Sequence, residues 1–242
     1  MNLLLLRDGD FLPDGTARLE GRRLLHAREV LRAAQGDVLR VGRLGGQVGT
    51  AEVLALDDGQ LLLRCELSQP PPARPGVDLL LAMPRPKALR KVLPAAASLG
   101  VDRIVLVNAA RVEKSYFDSH ALAQVDELLA LGLEQARDTR PPAVMVRERF
   151  RPFVEDELDA AFPEGVRLLA HPAAANSAPP LQGRCVIAIG PEGGWVPFEL
   201  ELLGQRGFTP FTLGPRPLRV EVALPYALGG LSRTRITSGG GP

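Results

Sequence analysis

Arg184-Cys185-Val186-Ile187-Ala188-Ile189 runs straight into Gly190-Pro191-Glu192-Gly193-Gly194-Trp195, and Phe208-Thr209-Pro210-Phe211-Thr212-Leu213 runs into Gly214-Pro215-Arg216-Pro217-Leu218-Arg219. Each is an apolar run that ends in a loop rich in glycine and proline. A short apolar run bounded by turn residues reads as a buried strand. Between the two, Pro197 to Arg206 reads as a helix with proline in its first turn. Strand, loop and helix in alternation predict an α/β domain with a parallel sheet.

The alternation extends outward. Val77 to Ala82, Arg103 to Val107 and Val166 to Ala170 read as further strands, and Lys87 to Leu99, Ala121 to Arg137 and Val220 to Arg233 as helices. Pro225 is expected to disturb the last of these. Upstream, Ser68 to Gly76 holds four prolines and reads as a stiff linker. The predicted organisation is a small domain over residues 1–69, a linker over 70–76 and a larger domain over 77–242. In the small domain, Asp37 to Gly42, Gly49 to Leu54 and Gln60 to Cys65 are short strands between glycine and aspartate turns, as in a small barrel. Gly21 to Ala34 carries a helical stripe of Leu24, Leu25, Ala27, Val30 and Leu31.

Bulk properties exclude several classes. The chain of 242 residues has a formal net charge of +1, so no global basic field marks a nucleic-acid binder, and any such surface is a local patch. Lysine occurs only at 87, 91 and 114, while 26 residues are arginine, which suits phosphate and base recognition. Abundant Ala, Gly, Pro and Arg also fit a GC-rich coding sequence, so each arginine has to be argued by position. Cys65 and Cys185 lack metal-ligand spacing, and the histidines are scattered, so no metal site is expected. No run is long enough to span a membrane, and Met1 to Leu6 is too short for a signal segment, so a cytoplasmic protein with reduced thiols is expected.

Three of the predicted strands end in Gly/Pro loops: Leu168-Leu169-Ala170-His171-Pro172, then the loop after Ile189, then the loop after Leu213. Ligands of open parallel sheets bind beyond the carboxyl ends of strands. Such loops offer peptide groups at close range without adding charge. Neither a Walker loop nor a G-x-G-x-x-G fingerprint is present, so the pocket is not built for a nucleoside polyphosphate in either of those ways.

Gly190-Pro191-Glu192-Gly193-Gly194 followed by a bulky residue, Leu213-Gly214-Pro215-Arg216-x-Leu218-Arg219-x-Glu221, and His171-Pro172 together resemble the signature of SPOUT-superfamily enzymes that methylate uridine N3 in 16S ribosomal RNA. The resemblance covers nearly the whole chain and is most specific in its last third. It implies a PUA-like β-barrel that docks RNA, followed by a SPOUT methyltransferase domain with a deep C-terminal trefoil knot. It implies S-adenosylmethionine as cofactor, 16S ribosomal RNA or the small ribosomal subunit as partner, and a homodimer with its site near the subunit interface. The chain departs from the pattern at Val220 and Val222, where the family commonly has threonine, and at Ser98, where it has glutamate. It reads as a divergent member. A SPOUT enzyme for another rRNA or tRNA position, and a catalytically silent RNA-binding module, are the alternative readings.

On this resemblance the cofactor residues are Leu169, His171, Pro172, Ile189, Gly190, Pro191, Glu192, Gly194, Leu213, Gly214 and Leu218. His171 is expected to act through its backbone, and Trp195 to fill the core. Glu192 reads equally as a ligand contact or as the cap of the helix starting near Pro197. Arg219 follows the third loop and is expected to stabilise charge on the acceptor base, with Glu221 to orient it or accept a proton. Two RNA-binding groups are expected. Arg85, Lys87, Arg90 and Lys91 gather at a helix start, where positive charge opposes the dipole and invites a phosphate. Arg22, Arg23, Arg28 and Arg32 lie on or beside the first helix, with Arg28 and Arg32 four apart on one face.

Overall fold

The computed structural model describes residues 3–177, 179 and 183–237. Its backbone contacts separate two units, Met1–Ala73 with Ala130–Pro141, and Arg74–Leu129 with Pro142–Pro242.

The first unit is built on five strands: β1 (Leu4–Leu6), β2 (Thr16–Leu19), β3 (Val38–Arg43), β4 (Val48–Leu56) and β5 (Leu61–Gln69). They lie in the order β1-β3-β4-β5-β2, with β1 parallel to β3 and the other pairs antiparallel. Alternation decides which face is covered. Leu39, Val41, Ala51, Val53, Leu61 and Leu63 turn into one core, and Arg40, Glu52 and Arg64 turn out. Register shifts at Val48/Gly49 and Val53/Ala55 bend β4 and curl the sheet.

The first helix differs from its expected form. Helix α1 (Gly21–Leu25) passes into a π turn over His26–Val30 and stops there instead of reaching Ala34. Ala33 N–H donates back to the Ala27 carbonyl at 3.0 Å, and Arg32 takes the left-handed conformation at φ 53°. Arg28 and Arg32 therefore do not share a helix face.

The second unit holds β6 (Val77–Ala82), β7 (Arg103–Val107), β8 (Ala143–Arg147), β9 (Val166–Ala170), β10 (Cys185–Ile189) and β11 (Thr209–Phe211). The order is β11-β9-β10-β6-β7-β8, and every pairing is parallel. Every residue of β6 and β10 is buried, as expected of central strands covered on both faces. The helices are α2 (Pro86–Ser98), α3 (His120–Ala123), α4 (Val125–Ala136, of which the part from Ala130 belongs to the first unit), the short α5 (Phe150–Pro152) and α6 (Leu158–Ala161), then α7 (Pro197–Gln205) and α8 (Val220–Thr237). The expected helix over Ala121 to Arg137 is thus broken at Gln124. Helix α8 runs on through Pro225, because Leu224, Ala227, Leu228 and Leu231 are buried and hold it.

The sheet order positions the site. Strands β11, β9 and β10 are neighbours, so the three loops that follow them open at one end of the sheet. His171 N–H donates to the Phe211 carbonyl at 2.9 Å, and Thr212 N–H to the Asn176 carbonyl at 2.8 Å, which ties two of the loops together.

Candidate active site

The three loops enclose a cavity of about 370 Å³. Every predicted cofactor-loop residue lines it except Leu169. Leu169 is buried in the core cluster that also holds Trp195 and Leu203. The walls are mostly hydrocarbon and peptide groups, with Ile189, Leu213, Leu218, Val220 and Ala223 supplying the apolar part. Val220, at one of the two positions where the family commonly has threonine, is buried and forms part of this wall.

Glycine at 190 is dictated by Trp195. A Cβ there would stand 3.0 Å from the indole Nε1 and 3.1 Å from Cδ1. The indole cannot give way, because it is buried and packs on Phe150 with ring centroids 5.7 Å apart. Trp195 is thus the floor of the loop, in keeping with the core role expected of it. At Gly193 the close neighbour is Arg111, whose Cδ would lie 2.8 Å from an added Cβ and whose Nη1 donates to the Gly193 carbonyl.

Arg111 was not found from sequence. It comes from the loop after β7, lines the cavity and holds the loop after β10 by the Gly193 carbonyl. No motif marks it, and it is one arginine among 26. His171 is a half-buried turn residue whose Nδ1 accepts from Ala173 N–H at 3.3 Å.

The capping role considered for Glu192 belongs to Glu199. Glu199 accepts from Val196 N–H at 2.9 Å and from Ala110 N–H at 2.7 Å, and its side chain is buried. Sitting three residues past the cap, it takes the N-cap N–H of α7 with one oxygen and ties the loop after β7 to the helix start with the other. Glu192 turns the other way and accepts from Arg85, at 3.2 Å from Nε and 3.4 Å from the backbone nitrogen.

That contact opens on a second, charged cleft of about 450 Å³, lined by Arg85, Lys87, Lys91, Arg219, Glu221 and the shared residues Glu192, Pro217 and Leu218. Arg219 does not pair with Glu221 as expected. Lys91 Nζ takes that carboxylate at 3.7 Å, and among the described residues Arg219 has no ion-pair partner. Arg90 is not in the cleft. Its guanidinium donates to Gln124 Oε1 and lies 3.3 Å from His120 Nδ1.

The arginines of the first unit carry structural contacts of their own. Arg22 grips Glu134 through both terminal nitrogens at 3.1 Å. Arg23 pairs with Asp10 and donates to the Leu5 carbonyl. Arg28 meets Asp58 at 2.8 Å. Among the described residues no group of three potential ligands is placed to hold a metal ion, and no helix is long and apolar enough to cross a membrane.

The comparisons with known proteins bear on this arrangement. Residues 71–232 match the family model of the RNA methyltransferase domain. The ribosomal RNA small subunit methyltransferase E of Treponema pallidum is 31% identical over 234 residues, covering 92% of this chain and 87% of that protein. The protein of the same name from Mycobacterium bovis is 28% identical, covering 91% and 88%. Among solved structures, a ribosomal RNA small subunit methyltransferase E from Neisseria gonorrhoeae, bound to S-adenosyl methionine, shares the fold with a TM-score of 0.77 at 21% identity, covering 97% of this chain and 98% of that one. A probable rRNA methyltransferase from Porphyromonas gingivalis aligns with a TM-score of 0.75 at 24% identity, covering 98% and 100%. By its family match and by its full-length relatives, the chain belongs to the RNA methyltransferase domain family, in the group of ribosomal RNA small subunit methyltransferases E.

Proposed function

We propose that this protein transfers a methyl group from S-adenosylmethionine to N3 of a uridine in 16S ribosomal RNA. The observation that carries the reading is the wall shared by the two cavities, where Glu192, Pro217 and Leu218 line both. One cavity suits a nucleoside with its side chain; the other suits an anionic polymer.

The fit to the cofactor rests on size and lining. A cavity of about 370 Å³ with hydrocarbon walls and exposed peptide groups lies in the range of small-ligand sites. Ile189, Gly190, Pro191, Leu213, Gly214 and Leu218 would hold it, with His171 and Pro172 closing one side. S-adenosylmethionine supplies a methyl carbon already activated by its positive sulfur. The protein's own work is to orient the acceptor and stabilise the charge that grows on its oxygens. Arg219 takes that second task, while Arg85, Lys87 and Lys91 hold phosphates.

The same reading covers the rest of the molecule. The curled five-stranded sheet serves as a PUA-like RNA-docking module, with Arg22, Arg28 and Arg32 presenting exposed guanidinium groups despite the ion pairs of the first two. The chain returns from edge strand β11 to pack α8 on α2, and Thr212, just after β11, bonds the Asn176 carbonyl in the segment after β9, an arrangement that supports a trefoil knot. Helix α8 leaves Val222, Pro225 and Tyr226 exposed on one apolar face beside the cofactor loops, and a second copy of the chain covers it in a homodimer. Light scattering at micromolar concentration should return twice the mass of one chain; the mass of a single chain ends this part of the reading. The cytoplasm supplies both the ribosomal RNA and the reducing conditions that suit the free thiols Cys65 and Cys185.

The central claim is tested by deleting the gene and mapping modified nucleosides in the small-subunit RNA. N3-methyluridine should disappear at one position. An unchanged map rejects the proposal.

A further inference from the structure

Among the described residues, Glu192 is the one titratable group that lines both cavities. The others divide cleanly. Arg111, His171 and Arg216 face the apolar cavity alone, and Arg85, Lys87, Lys91, Arg219 and Glu221 face the charged cleft alone. Methyl donor and acceptor atom have to meet where the cavities meet, and Pro217 and Leu218, the rest of that wall, carry no group able to move a proton.

Two further features leave Glu192 available. It is released from capping α7, because Glu199 takes the Val196 N–H at the N-cap there. Its contacts with Arg85 all use Oε1, so among the described residues Oε2 has no partner. Arg85 thereby fixes the carboxylate and leaves one acceptor oxygen on the shared wall.

We infer that Glu192 reads the acceptor base: its Oε2 accepts the N3–H of uracil, discriminates against cytosine, and takes the N3 proton during methyl transfer. The inference rests on the uridine-N3 reading above. Uracil presents a donor at N3 and cytosine an acceptor there, so a carboxylate attracts the first and repels the second. In the reaction the N3–H bond breaks, its proton goes to Oε2 and the bonding pair stays on the ring. That pair makes the new N–C bond as the methyl carbon's bond to sulfur breaks, with its electrons kept by sulfur. A base in this role has to lie within hydrogen-bond reach of the proton, and Glu192 stands on the wall where donor and acceptor would meet.

The test uses the full-length protein without cofactor, titrated with uridine 5′-monophosphate and with cytidine 5′-monophosphate by NMR. The wild type should favour the uridine nucleotide about tenfold, the size of one good base-edge contact. In Glu192→Gln the amide both donates and accepts, so the preference should shrink to within about twofold. With cofactor and RNA supplied, Glu192→Gln turnover should fall about a hundredfold, far more than cofactor affinity measured by calorimetry. A wild type that does not distinguish the two nucleotides, a Glu192→Gln variant that keeps the preference, or one that keeps its turnover overturns the inference. The two levels separate in the product. Wild-type protein that makes N3-methyluridine while Glu192→Gln matches it refutes the role of Glu192 alone. A methyl group found elsewhere refutes the uridine-N3 reading itself.

Discussion

Replacing Arg219 with alanine should lower turnover by roughly two to three orders of magnitude, the loss typical of removing one preorganised donor from a developing oxyanion. Arg219 lines the charged cleft and not the apolar cavity, so cofactor affinity should stay within about threefold, since no contact to that ligand is removed. The size of the effect follows from its lack of a counter-ion. Arg85 is engaged by Glu192 and Lys91 by Glu221, whereas Arg219 has no carboxylate among the described residues. Of the cleft cations, Lys87 and Arg219 have no carboxylate partner among the described residues, and Arg219 is the one that carries a planar donor fork for the base oxygens. Arg219→Lys keeps the charge but loses the planar fork, and should recover only part of the rate. Single-turnover methyl transfer and cofactor calorimetry on the same preparations separate the outcomes. A wild-type rate removes Arg219 from the chemistry, and a parallel loss of cofactor affinity makes it a cofactor contact instead.

The loops of this site were legible because glycine and proline follow apolar runs at each, and such punctuation survives without knowledge of the fold. That the three loops form one pocket was a matter of strand order, β11-β9-β10, which no local pattern encodes. Arg111 stayed hidden for the same reason: its loop follows β7, two strands away from β10, and carries no glycine or proline mark. Helical spacing put Lys87, Arg90 and Lys91 on one face, yet Arg90 leaves the cleft for Gln124 and His120, whose nearness is a tertiary fact. Among strands, β1 was missed because Leu4–Leu6 is buried throughout and shows no alternation, β2 because four residues are too few to show it, and β8 because Ala143–Arg147 is half-buried along nearly its whole length with no alternation. The π turn after α1 has no sequence mark at all, and it undid the shared face assigned to Arg28 and Arg32.

Removing the carboxylate of Asp78 should cost about 3 kcal/mol of stability, the low end for breaking a buried ion pair. Asp78 sits near the start of the central strand β6 with its side chain 0% exposed. Directly across the sheet from it is Arg103 on β7, whose Nε donates to Oδ1 at 3.2 Å. From the other side Arg184 donates through Nη2 to Oδ1 at 2.9 Å and Oδ2 at 3.1 Å. The network continues to Asp102, which receives both Arg184 and Arg74, and to Glu164. It thus balances Arg74, Arg103 and Arg184 against Asp78, Asp102 and Glu164. Asp78→Ala removes the most deeply buried member and leaves two guanidinium groups facing the vacated space. Those side chains keep 25% and 27% of their exposure, so water can reach them in part, which is why the low end applies. Differential scanning calorimetry should show a fall of roughly 10 °C in the melting temperature. Asp78→Asn retains an acceptor oxygen and should fall between the two. Because Asp78 lies at the end of the sheet opposite the cofactor loops, cofactor affinity well below the melting temperature should be unchanged. A melting temperature within about 2 °C of wild type, less than one kcal/mol by the same relation, shows that the network is dispensable.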